Sequence, residues 1–117
     1  EVTNVGAPVS TSAFEYEAEI SQDGQTMIIV ADRGDKSHLY HFKKTDGAWV
    51  ERGLIAAKRE VFQVGPLLSA DATRLLFAQA DGNLSGEMFV TDLTAKADRS
   101  WPPQCTDKRQ LYSDSAR

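Results

Sequence analysis

The chain has 117 residues, 41% of them apolar and 26% charged, which is the size and composition of one ordinary soluble domain. Folding would bury roughly 65% of the surface that an unfolded chain of this length exposes, enough for one core without a metal or disulfide staple. Seventeen acidic against thirteen basic residues leave a net charge of -4, which removes the electrostatic warrant for nucleic acid or an anionic membrane as partner, and the longest apolar run, Met27 to Ala31, falls far short of the roughly 20 residues of a membrane-spanning helix.

Glycine and turn residues cut the chain into pieces of four to seven residues that alternate or run apolar, the pattern of strands. Phe14, Tyr16, Ala18 and Ile20 share one parity and Glu15, Glu17 and Glu19 the other, so the first strand is expected to bury one face and leave an acidic row solvated. Ser21-Gln22-Asp23-Gly24 supplies a tight turn before the β-branched run Thr26 to Val30, and the two strands read as a hairpin. Asp32-Arg33-Gly34-Asp35-Lys36 is a loop by composition. A third strand follows from His38 to Lys43, with Leu39 and His41 on one face and His38, Tyr40 and Phe42 on the other. Thr45-Asp46-Gly47 punctuates, and Trp49-Val50 opens a fourth segment running to Ala57. Ile55 to Phe62 shows no helical face longer than two turns and reads as a connection.

The pattern then repeats. Ser69-Ala70-Asp71-Ala72 lies 48 positions after Ser21-Gln22-Asp23-Gly24, preceded by the apolar approach Val64 to Leu68 where Tyr16 to Ile20 stood. Leu75 to Ala78 matches Met27 to Val30, and Asp81-Gly82-Asn83 falls where Arg33-Gly34-Asp35 falls. After one inserted residue, Met88-Phe89-Val90 matches Leu39-Tyr40-His41, and Trp101 follows Trp49 by 52 positions. Ala72 in place of Gly24 implies a less demanding turn geometry in the second copy.

Units of this length with four short strands each have the pattern of propeller blades, whose sheets must stack on neighbours to bury both faces. On the residues just given the two units resemble the WD-repeat-like blades of TolB-type β-propellers, whose signature runs Ser-Pro-Asp-Gly, an apolar strand, an Asp-Arg or similar loop, then Leu/Ile-Tyr-Val. Both copies lack the signature proline. The lead-in Gly6 to Ser10 and Trp101-Pro102-Pro103 look like inter-blade segments of that family. The resemblance implies an all-β chain of two four-stranded antiparallel blades, part of a six-bladed ring or completed to one by oligomerisation. The first blade would span 5–57, the second 58–103, and a polar tail 104–117. It also tilts the expected compartment toward the periplasm or another exported location, as does a chain that starts at Glu1. Function follows from the fold only loosely, because propellers host many activities.

Asp23 and Asp71 occupy one repeat position, where an aspartate bonds the amides of its own turn, so Ser21, Asp23, Gly24, Ser69 and Asp71 are read as structural. His38 and His41 are three apart on a strand and cannot share a metal ion. Arg33-Gly34-Asp35 matches the tripeptide read by adhesion receptors, but a three-residue match has little specificity. Arg33, Asp35, Asp81, Asn83 and Glu87 stand as candidate loop contacts, and the Asp81-Gly82-Asn83 loop supplies too few oxygens for calcium. No nucleophile elbow, zinc-protease pair, phosphate loop or dinucleotide fingerprint occurs. Cys105 is single, so it offers no internal disulfide or thiol metal cluster. The expected function is a non-catalytic module, without metal or cofactor, that binds a protein or small ligand. The competing expectation is an access-gating part of a larger peptidase or polysaccharide lyase. If two blades are the whole chain, three copies would close a ring.

Overall fold

A computed structural model describes residues 1–34, 36–55, 60–94 and 96–102. They form two antiparallel sheets and no helix. Sheet one has the order β1(Phe14–Ile20), β2(Thr26–Asp32), β3(Ser37–Thr45), β4(Ala48–Leu54), and sheet two the order β5(Gln63–Leu68), β6(Arg74–Asp81), β7(Leu84–Asp92). Among the described residues the second unit thus has three strands where four were expected. Residues 93–102 hold no strand among those described, and Trp101 lies outside any sheet whereas Trp49 lies within β4. Arg74 ties this last stretch down. Its guanidinium pairs with Asp92 at 3.0 Å and donates to the carbonyls of Asp98, Arg99 and Trp101, fixing a path that runs beside the sheet instead of pairing with β7.

The hairpin turns follow from local chemistry. Asp46-Gly47 is a two-residue loop between the paired Thr45 and Ala48, with φ of 52° and 79°, the mirror-image turn that matches strand twist and favours Asp-Gly. The turns at 21–26 and 69–74 superimpose bond for bond. Ser21 Oγ donates to Asp23 at 2.6 Å and Ser69 Oγ to Asp71 at 2.8 Å, each carboxylate accepts the amide two residues on, and each serine oxygen accepts the amide five residues on. Ala72 adopts φ of 59° beside the 71° of Gly24, so the second turn is not the easier geometry expected. The network around Asp71 holds an alanine where glycine is the unstrained residue.

β1 departs from its expected faces. A bulge between Tyr16 and Glu19, with Glu17 at φ of 48°, splits the parity. Phe14 and Tyr16 pair with Asp32 and Val30 on one face, whereas Ile20 pairs with Met27 on the other. Phe14 is 79% exposed and Ile20 53%. Two of the glutamates are engaged with the next sheet: Glu17 accepts the amide of Gly65 at 2.8 Å and Glu19 that of Leu68 at 3.2 Å, both in β5. β5 carries its own bulge between Val64 and Leu67, with Gly65 at φ of 65°. Glu17 and Gly65 are 48 residues apart, so the bulge belongs to the repeat, and its glycine survives only in the second copy.

Two cores result. Met27, Ile29, Ala31, Tyr40 and Phe42 form the front face of sheet one, closed by Val9 with Trp49 and Leu54. Ile28, Val30 and Leu39 form its back face and meet Leu68, Leu75 and Phe77 of sheet two. Leu39 is fully buried there, so truncation to alanine would cost about 2–5 kcal/mol. Pairing register fixes the equivalences: Val30 opposes Leu39 as Ala78 opposes Met88, and Ile29 opposes Tyr40 as Phe77 opposes Phe89. Leu75 and Phe77 are therefore the counterparts of Met27 and Ile29, and the front of sheet two lies on the back of sheet one. The sheets stack head to tail.

Candidate functional site

The connection of the two sheets brings the β2–β3 and β6–β7 loops to one end of the stack. Gln63 starts β5 opposite Gln79 near the end of β6, and its Oε1 accepts the amide of Leu39 near the start of β3 at 3.3 Å. Gln63 Nε2 also donates to Gln79 Oε1 at 2.9 Å. Gln63 is fully buried, and this chain of polar bonds satisfies groups that water does not reach. At the same end Lys36 Nζ donates to the Glu60 carbonyl at 2.6 Å.

Of the described loop residues picked out from sequence, Arg33 lines a recess. Its guanidinium pairs with Glu51 of β4 at 2.5 Å and stacks 3.8 Å above the Tyr40 ring, a cation over the negative face of an aromatic. Hydrogen bonding to Glu51 raises the pKa of Arg33 above its already high ordinary value. A recess of about 400 Å³ opens beside the pair, lined by Arg33, Lys36, Tyr40, Glu51, Gly53 and Leu54. His38 also borders it; this residue is buried and its Nε2 has no hydrogen-bond partner. Gly53, at φ of 106° in the bulge of β4, is a position that side chains rarely adopt, and it leaves the recess unfilled. A second recess of about 830 Å³ shares Arg33 and Glu51 and continues past Thr11, Ser12 and Phe14. The ion pair is a partition between the two.

Asp81, Asn83 and Glu87 are exposed and line neither recess, and Asp35 and Cys105 lie outside the described residues. Among the described residues no group of three or more histidine, cysteine or acidic side chains could hold a metal ion. His38 and His41 pair with Ala31 and Ile28, which face opposite cores. Burial, followed by the nearby charges of Lys43 and Arg52, holds the pKa of His41 below its ordinary value. Asp23 lies below the usual carboxylate range because of the Ser21 hydroxyl, and Asp71 because of the hydroxyls of Thr73 and Ser69, consistent with turn-forming roles.

Sequence reasoning missed Glu51, Tyr40, Lys36 and Gly53. The parity of β3 placed Tyr40 on one face with Phe42, but only the register of β4 brings Glu51 opposite Phe42 and so beneath Arg33. No protein-family model, curated protein or solved structure matches the chain.

Proposed function

We propose that the chain is a segment of a TolB-like β-propeller and acts, without chemistry of its own, as a binding module for a protein loop or small ligand. The observation that carries this reading is the Arg33–Glu51 recess at the loop end of two head-to-tail repeat units. Two cations against one carboxylate, above an aromatic ring and a leucine, favour an anionic group attached to a planar or apolar body. Pre-formed pockets of a few hundred Å³ are the usual scale for such ligands.

The test is amide chemical-shift mapping with acetate, benzoate, inorganic phosphate and glucose, each raised to millimolar concentration. Saturable shifts at Gly34, Lys36 and Gly53 with benzoate, weaker with acetate and lost in Arg33→Ala, are expected. Saturable shifts confined to other regions, or none with any of the four, would remove the recess as the binding site.

A further inference from the structure

We infer that the outer face of sheet two is a docking surface for a second copy of this chain, added head to tail. Leu76 and Ala78 of β6, Leu67 of β5, and Met88 and Val90 of β7 share this face by register. Leu67 is 49% exposed, Met88 59% and Val90 39%. The repeat says what covers such a face. Its counterparts in sheet one, Ile28, Val30 and Leu39, are covered by Leu75 and Phe77 from the front of the next unit. A second copy carries the matching front, Met27, Ile29 and Phe42, which in this structure is buried beneath Val9 of the lead-in, with Trp49 and Leu54 packed against it. Docking would therefore have to displace Val9 and the lead-in around it to uncover this front.

The junction differs from the internal one in a way that sets its strength. Glu17 and Glu19 bind the β5 amides inside the chain, but the residues 48 positions later are Gly65 and Leu67. The outer face of sheet two lacks those two carboxylates, and the charged pair that shares it by register, Arg74 and Asp92, is already bonded to itself, so a second copy would be held mainly by apolar contact. The exposed part of the patch is on the order of 300 Å² per copy, against roughly 800 Å² per partner in a stable interface. Association is accordingly expected to be weak, with half-saturation at hundreds of micromolar. Arg33 and Glu51 lie at the edge of the receiving front face, so a docked copy would also wall the open side of their recess. Such a heterologous contact closes with three copies if the rotation per unit permits.

This inference rests on the repeat-unit part of the proposed function and not on the ligand reading, so the two fail separately: small-acid binding to a strictly monomeric chain would sink the inference alone. Sedimentation equilibrium from 10 µM to 1 mM should show a mass rising above 12.9 kDa. Met88→Lys with Val90→Lys, both at exposed positions, should weaken association at least tenfold without lowering the melting temperature. A spin label at Val90→Cys in a Cys105→Ser background should broaden the amides of Val9, Met27 and Phe42 in an isotope-labelled second copy. A monomer at 1 mM would overturn the inference. So would broadening confined to Leu67, Leu76 and Met88, which would mean two outer faces pairing with each other.

Discussion

Replacing Gln63 with leucine removes the carboxamide that joins the sheets while keeping nearly the same volume, so the cost isolates hydrogen bonding from cavity formation. Two partners lose their bond, the Leu39 amide at 3.3 Å and the Gln79 carboxamide oxygen at 2.9 Å. A buried group left unsatisfied costs about 1–3 kcal/mol. The long bond to Leu39 belongs at the lower end, and Gln79, itself buried, nearer the middle, for a sum of about 2–3 kcal/mol. With an unfolding entropy of roughly 2.1 cal/mol/K per residue, the melting temperature should fall by about 10 °C. Calorimetry on Gln63→Leu, Gln79→Leu and the double variant forms a closed cycle. The double variant should be about 1–1.5 kcal/mol more stable than the sum of the single losses, because it orphans only the Leu39 amide. Additive losses, or a Gln63→Leu melting point within 1 °C of the parent, would refute a buried Gln63–Gln79 bond.

The remaining expectations concern turns, the inter-sheet clasp and pH. Ala72→Gly should stabilise the chain by about 0.5–1 kcal/mol in chemical denaturation, since φ of 59° strains alanine; a loss of stability would contradict the left-handed turn. Glu17→Ala with Glu19→Ala should cost about 1 kcal/mol, discounted for the exposure of Glu17, and speed hydrogen exchange at Gly65 and Leu68 selectively; unchanged exchange there would remove the clasp. Asp23, Asp71 and Asp98 are all lowered from 3.8, Asp98 first by the Ser100 hydroxyl. Their contribution is present above that value and is lost as pH falls through the depressed folded values, so Asp23→Asn with Asp71→Asn should flatten the acid limb of a stability profile below about pH 4. His41 is lowered from 6.5, so the unfolded chain takes up its proton first and stability should decline as pH drops below 6.5; His41→Gln should abolish that slope.

Sequence alone revealed the strands of sheet one, the two serine–aspartate turns and the inserted residue before Met88, because each rests on local rules of periodicity and turn chemistry. The register of β6 with β7 places Leu76 against Val90 as Ile28 stands against His41, in keeping with the alignment of the repeats. What local rules could not show depends on bulges and on contacts between sheets. Strict alternation from Phe14 to Ile20 predicted one buried face, but a single bulge residue reassigns every side chain beyond it. The glutamates of that strand looked like a solvated row, and two of them instead accept amides 48 and 49 residues away. The candidate site was legible only at Arg33, the one member in a recognisable loop. Its partner Glu51 sits in a strand with no local mark of function, and meets Arg33 only when β4 pairs with β3.

The central claim is that the front of sheet two lies on the back of sheet one, repeating one face-to-face relation. Methyl–methyl nuclear Overhauser spectroscopy on Ile, Leu and Val labelled protein tests it most directly. Leu68 and Leu75 should show cross-peaks to Ile28, Val30 and Leu39, the members of their shared core, and none to Ile29. Cross-peaks from Leu76 and Val90 to those same methyls within one chain, or no contacts between the two sheets, would contradict the stacking and with it the repeat-unit account.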